Sequence, residues 1–260
     1  MNQSLALYVF YTDVDKAKKC IEAGVNGIVI DWERAGKRHR QSLFDTQINQ
    51  HGLRDLADAR ELFTGSIVCR VNGGEELGRD EIQRAIDHGA DEIMIPMIKS
   101  VRQAEEALNL IDGKAKSIIM IETEEAVRSA EEIGKLPLDK VYVGFNDLAI
   151  SRNVSNIFLP LIDGTMEEIS SSLQVEFGFA GLTHPEMGYP LPSILLLNEM
   201  KALGASFTLL RRSFFRDMKN YTAKEIIDAI HFEFARSKTN SEVQKKRLTE
   251  AVNLAFTSQF

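Results

Sequence analysis

Cysteine is scarce in this chain: two in 260 residues, Cys20 and Cys69, with no CxxC spacing. That excludes a disulfide framework and dithiol chemistry. Cys20 falls in a helix pattern and Cys69 in a strand pattern, so both are expected to be reduced and buried, as in a cytoplasmic protein. Basic charge is also in deficit. Thirty-one Lys and Arg stand against 38 Asp and Glu, a formal net charge of −7. Nucleic acid is excluded as a main partner, because binding phosphates requires a basic face. The one basic run, Arg34 to Arg40, is local and reads either as a solvated loop or as a mouth attracting an anionic substrate. No apolar run approaches the roughly 20 residues of a membrane span. The first residues, MNQSLALYVFYTD, lack a basic start and a small-residue cleavage site, so they read as a first strand and not as a signal peptide. Neither G-x-x-x-x-G-K-[ST] nor G-x-G-x-x-G occurs, so any substrate is expected to be small.

What is present is an alternation. Apolar runs of strand length are predicted at 5–10, 27–30, 67–71, 92–95, 117–121, 140–143, 175–179 and 206–210. Helix-period stretches follow them at 14–23, 53–63, 79–88, 101–111, 124–134, 166–173, 193–203 and 223–235. Gly24, Gly89, Gly134 and Gly204 stand where helices should end. Eight β-α units in one run is the count of a (β/α)8 TIM barrel. A last helix near 241–255 is left over. The expected organisation is a barrel over residues 1–236 with a C-terminal helical extension over 237–260, and no Pro/Gly/Ser linker between them.

In this architecture the active site lies at the C-terminal ends of the strands. Those ends carry Asp31 and Glu33, Arg70 and Asn72, Lys99, Glu122, Asn146 and Asp147, Thr183 and His184, and Arg211 and Arg212. Strand starts do not collect charge in this way. Glu122 and Asp147 follow strands five and six, which are neighbours in a closed barrel, so the two carboxylates can meet at one rim. A hard divalent cation, Mg²⁺ or Mn²⁺, binds through one or two carboxylates and leaves positions open for water and substrate. A 2-oxo acid fits such positions, since its carboxylate and keto oxygen chelate together. Arg70 nearby would stabilise an enolate oxygen, the charge that develops when a bond beside the carbonyl breaks. Glu33 would orient water or a substrate hydroxyl. Gly144 and Asn146, in the GFND string, join Lys99 and Thr183 as candidate substrate contacts.

Each residue also has a structural reading. Glu122 would cap the helix beginning at Thr123, and Asp147 would be the N-cap of a short helix. Arg70 would pair with Glu33 or Asp31 across neighbouring strands. Lys99 would be an exposed first-turn residue, and His39 a solvated one. His51, His88 and His231 sit in or beside helix patterns. His184, before Pro185, is at the rim. The long loop Gly181 to Pro192 holds three prolines and could present backbone N–H groups to an anion.

The strings IDWERA, CRVN, GADEIMIPMIKS, IMIETEEAV and VYVGFNDLAIS resemble, in order and approximate spacing, the HpcH/HpaI aldolase and citrate lyase β-subunit family. The resemblance runs from about Leu5 to Phe214, with GLTHPEMGYPLPSILLLNEMKALGASFTLLRRSF more divergent. It implies a barrel that makes or breaks C–C bonds through a pyruvate-like enolate. It also implies Mg²⁺ or Mn²⁺ held by Glu122 and Asp147, Arg70 as the family's arginine, and a homo-oligomer, trimer or hexamer, packing C-terminal helices. The aldolase branch carries a histidine directly after its strand-two glutamate, where this chain has Arg34. The citrate-lyase branch carries an acidic pair there, of which Glu33 matches one member. Two other functions stay open: a non-catalytic sensor or accessory subunit binding a metal–keto-acid complex, and a phosphoenolpyruvate-type transfer enzyme, since GFND is similar to strings in barrels of that chemistry.

Overall fold

The computed structural model describes residues 4–34, 51–237 and 242–257. Eight parallel strands close on themselves in sequence order: β1 (Ala6–Phe10), β2 (Gly27–Asp31), β3 (Ser66–Arg70), β4 (Glu92–Ile95), β5 (Lys116–Ile121), β6 (Lys140–Val143), β7 (Glu176–Leu182) and β8 (Phe207–Leu210). The main helices between them are α1 (Val14–Ala23), α2 (Leu53–Leu62), α3 (Arg79–Asp87), α4 (Val101–Ile111), α5 (Glu124–Arg128), α6 (Ala130–Gly134), α7 (Phe145–Ser151), α8 (Thr165–Ser172), α9 (Ser193–Leu203) and α10 (Ser213–Asp217). Two more close the chain, α11 (Ala223–Arg236) and α12 (Glu242–Thr257). This is the (β/α)8 barrel with a C-terminal helix that the alternation predicts.

Strand alternation sorts the side chains into two layers. Tyr8, Val29, Val68, Met94, Ile118, Met120, Tyr142, Phe207 and Leu209 fill the barrel interior. The intervening residues, such as Ile28, Ile30, Ile67, Ile93, Ile119 and Val141, face the helices and form the larger core. Cys20 and Cys69 are free and buried there, and burial pushes both thiols up, Cys20 to about 12.

Contrary to the sequence reading, strand starts also collect charge, since Glu92, Lys116, Lys140 and Glu176 open β4, β5, β6 and β7. At the N-terminal end, Lys140 donates to Glu92 and to the Tyr8 hydroxyl, each at 2.7 Å, and Tyr8 donates to Glu92 at 3.0 Å. This buried pair is neutral overall and closes the barrel floor. The candidate site lies at the opposite end.

Three local departures from the sequence reading matter. The helix predicted over 124–134 is broken at Ser129 into α5 and α6, since a serine competes for backbone hydrogen bonds in a helix interior. Strand β7 runs on to Leu182 through a bulge at Ala180, whose φ is 53°. The short helix after β6, α7, has Gly144 as its N-cap where the sequence reading has Asp147. The last helix, α12, buries Leu248 and Val252 in the same core as the barrel helices and is tied down where Asn156 donates to the Val252 carbonyl at 2.9 Å.

Candidate active site

Glu122 sits one residue beyond β5, and β5 pairs with β6 so that Ile121 lies opposite Val143. Asp147 follows in the first turn of α7. Both carboxylates are buried, Glu122 at 2% exposure and Asp147 at 8%. Burial first, then Asp147 and Glu33, raise the Glu122 carboxyl to about 8. A backbone N–H from Met97, 2.9 Å from Glu122 Oε1, and the Arg70 charge offset only part of this. Asp147, Glu33 and the Arg70 guanidinium therefore all lie within electrostatic reach of Glu122, and burial, more than its acidic neighbours, raises its pKa.

Neither structural reading accounts for these acids. The N-cap of α5 is Thr123, whose hydroxyl accepts from the Ala126 N–H at 3.1 Å, so Glu122 is not needed as a cap. The N-cap of α7 is Gly144, and Asp147 is the third helical residue. Gly144 has a steric duty as well. A Cβ there would run into the Glu122 carboxylate and stand 3.0 Å from its Cβ.

Arg70 is paired with Asp31 across the β2–β3 register. Its Nε and Nη2 donate to the two Asp31 oxygens at 2.9 and 2.8 Å, and its Nε lies 3.4 Å from Glu33 Oε2. Its planar group lies over the Phe10 ring, 5.2 Å from the centroid. Burial by itself would lower the Arg70 pKa, but Asp31 and Glu33 outweigh it and hold it above the ordinary value. Nη1 makes no hydrogen bond among the described residues. Arg70 is thus braced by Asp31, as the structural reading expects, and its fork bears electrostatically on Glu122 and Tyr142.

The brace extends outward through residues to which the sequence reading gave no role. The Asp31 N–H donates to His51 Nδ1 at 3.0 Å, so His51, buried, supports the rim from behind. Arg34 donates to the His51 carbonyl at 2.7 Å and its N–H to Asn72 Oδ1 at 2.9 Å. Asn72 in turn donates twice to Glu81, at 2.9 Å each. Met97, with φ of 58°, turns its N–H onto Glu122. Tyr142, whose hydroxyl donates to the Ala180 carbonyl, lies in the interior just below, and burial raises its pKa. The alternation placing Tyr142 inside the barrel was readable; the left-handed turn at Met97 was not.

Not every predicted residue joins this group. Lys99 is exposed at the start of α4, with its N–H donating to Gln103. Thr183 is turned into the protein. Its hydroxyl donates to Asp217 Oδ2 at 2.6 Å and its N–H to Ser193 Oγ at 3.1 Å, which takes its side chain out of the candidate site. His184 stacks on Tyr221, with centroids 4.1 Å apart. Asn146 is half-buried in the first turn of α7, beside Asp147. His39 and the basic run beyond Arg34 lie outside the described residues.

The donor set fits a hard divalent cation. A cation would relieve the buried charge of Glu122, which Asp147 makes costlier, and Mg²⁺ is commonly held by only one or two carboxylates with water. Among the described residues no cluster of three or more His, Cys, Asp or Glu forms a larger cage. None of the described helices is long and apolar enough to cross a membrane.

Comparison with known proteins agrees with this fold. The chain is similar in fold to an HpcH/HpaI aldolase from Desulfitobacterium hafniense DCB-2, with 17% identity over 86% of this chain and 92% of that one and a TM-score of 0.62. A citrate lyase from Burkholderia xenovorans LB400 gives 13% identity, coverage of 98% and 83%, and a TM-score of 0.63. The citrate synthase SbnG gives 19% identity, coverage of 86% and 94%, and a TM-score of 0.58. No curated protein matches the chain. The family model for HpcH/HpaI aldolase/citrate lyase matches residues 4–156, from β1 through α7, and so spans Asp31, Arg70, Glu122 and Asp147. The chain belongs to the HpcH/HpaI aldolase/citrate lyase family.

Proposed function

We propose that this protein is a divalent-metal-dependent aldolase or lyase that makes or breaks a C–C bond through the enolate of pyruvate or a similar 2-oxo acid. The observation that carries the reading is the convergence of Glu122, Asp147 and Glu33 beside a braced Arg70 at the barrel mouth. Glu122 and Asp147 would hold Mg²⁺ or Mn²⁺. Bound there, the ion supplies Lewis-acid polarisation of a substrate carbonyl.

The remaining work falls to the chain's own groups. Asp31 fixes the Arg70 fork, so the guanidinium need not reorganise when negative charge grows on the enolate oxygen. Nη1 is the donor left for that oxygen. Gly144 and Asn146 border the carboxylates and would meet the substrate's own carboxylate. Glu33, whose Oε2 lies 3.4 Å from Arg70 Nε, would orient water or take a proton. Arg34, in the position of the aldolase branch's histidine, is committed to His51 and Asn72 and supports the rim without serving as a base. The same reading gives a small 2-oxo acid as substrate and a homo-oligomer, trimer or hexamer, as the working form.

The test is hydrogen–deuterium exchange at the methyl group of pyruvate. Exchange that depends on Mg²⁺, Mn²⁺ or Co²⁺ supports the reading. Folded protein that catalyses none, yet binds oxalate calorimetrically in the presence of metal, would favour the non-catalytic alternative.

A further inference from the structure

Asp147 stands on a helix that cannot hold itself. α7 has seven residues, and its N-cap, Gly144, offers no side chain to the first turn. A helix this short is not stable on its own in water. Gly144 has no room to be a capping residue, because a Cβ there would run into the Glu122 carboxylate. Phe145, stacked on Phe179 with centroids 5.8 Å apart, and buried Leu148 hold α7 down on the core. Apolar contact has no preferred direction, so it does not by itself fix how the helix is turned.

The directional bonds are at the other end of α7. The Glu124 N–H donates to Ser151 Oγ at 2.9 Å. Arg152, the C-cap of α7, donates from Nε to Glu124 Oε2 at 2.5 Å. Its Nη1 donates to Thr165 Oγ1 at 2.9 Å and to Asp163 Oδ2 at 3.1 Å. The Arg152 side chain is 17% exposed, so water screens these charge-assisted bonds poorly. Both sides of the clamp are anchored. Glu124 opens α5, and its Oε1 lies 3.5 Å from Arg128 Nη2 on the same helix. Asp163 also accepts from the Thr165 N–H at 3.0 Å, and α8 buries Met166 and Ile169 in the core. Glu124 comes two residues after Glu122, and Arg152 five residues after Asp147. The clamp therefore joins the two segments that carry the candidate metal ligands.

We infer that Arg152 and Glu124 are positioning residues that fix how Asp147 stands relative to Glu122 and so suit the pair to a small divalent cation. The inference deepens the proposed function and rests on its reading of Glu122 and Asp147 as metal ligands. Mg²⁺ demands near-ideal geometry, with oxygens at about 2.0–2.1 Å, whereas Ca²⁺ accepts varied arrangements at about 2.3–2.6 Å. A held pair of carboxylates serves the first ion, and a loosened pair costs the second little.

Calorimetric titration with Mg²⁺ and with Ca²⁺ tests this without turnover. Arg152→Gln and Glu124→Gln should each weaken Mg²⁺ binding on the order of tenfold, the usual effect of losing a group that orients a metal ligand. Ca²⁺ binding should change by less than about threefold, since its coordination adapts. The double variant should be no worse than either single one, because both remove the same bond. Arg152→Lys should recover part of the loss, keeping the charge without the fork. Equal weakening of both ions is what a merely structural role gives, and it overturns the inference; so do unchanged Mg²⁺ binding and losses that add in the double variant. Amide hydrogen exchange of the metal-free protein tests the clamp separately. The Leu148 and Arg152 N–H groups, bonded to the Gly144 and Leu148 carbonyls at 3.2 and 2.9 Å, should exchange faster in Arg152→Gln, while β5 and β6 keep wild-type rates. Unchanged exchange in α7 overturns the clamp. If the wild type binds neither ion, the metal reading fails, and the exchange experiment still shows whether Arg152 holds α7. Should Arg152→Gln not fold, Arg152→Lys and Ser151→Ala carry both measurements, each expected to lower the Mg²⁺-to-Ca²⁺ preference several-fold.

Discussion

Gly144 leaves empty the space that the Glu122 carboxylate occupies: a Cβ on Gly144 would stand 3.0 Å from the Glu122 Cβ and overlap the carboxylate itself. The glycine is needed for its missing side chain and not for its backbone, since its φ is −94°. Gly144→Ala should therefore displace Glu122 and lower metal-dependent pyruvate exchange on the order of 100-fold, the usual result of an ångström-scale shift in a reacting group. Exchange kinetics with a thermal melt test this; an active Gly144→Ala would show that Glu122 need not stand where it does.

Glu122→Gln separates ligation from capping. Thr123 caps α5, so the substitution should abolish Mn²⁺ binding while the melting temperature stays close to wild type. Thr123→Ala should do the opposite, costing about 1 kcal/mol of stability. Paramagnetic titration and urea unfolding distinguish the two.

The Asp31–Arg70 pair makes a stability prediction. Asp31 is fully buried, and Arg70 is held on both of its oxygens. Asp31→Ala leaves a buried guanidinium with Glu33 as its nearest acid, and should cost about 3–5 kcal/mol in urea unfolding. A loss under about 1 kcal/mol would mean that Arg70 finds solvent instead.

The raised Glu122 pKa has a definite sign. A carboxyl raised to about 8 when folded, above its ordinary 4.5, binds its proton more tightly in the folded state. Its contribution to stability is complete below about pH 4.5 and is lost as pH rises toward 8. Metal-free protein should therefore lose stability over that window, and Glu122→Gln should flatten the profile. Metal competes with the same proton, so apparent affinity should climb with pH, on the order of tenfold per unit, until about pH 8. Calorimetry in buffers of different ionisation enthalpy measures the proton released.

The strand-and-helix alternation, the rim position of Glu122, Asp147, Arg70 and Glu33, and the use of β5 and β6 as neighbours were all legible along the chain. Periodicity is local, and a barrel of consecutive strands converts sequence order into spatial order. Lys99 and Thr183 passed the same positional test, yet one faces solvent and the other faces Asp217. A residue's place after a strand does not say which way its side chain turns. His51, Asp31 and Asn72 show the complement, since their value lies in hydrogen bonds to residues 20 to 39 positions away.

By itself the sequence determined the fold and the set of acids and bases available at one end of it, because hydrophobic period and strand order act residue by residue. Only the tertiary structure decided which of those groups share an environment. Closure of the barrel brought Asp147, Glu33 and the Arg70 guanidinium within electrostatic reach of Glu122 and set Arg152 against Glu124. The reason is that a side chain's charge depends on what surrounds it, and those neighbours arrive from strands far apart in the chain.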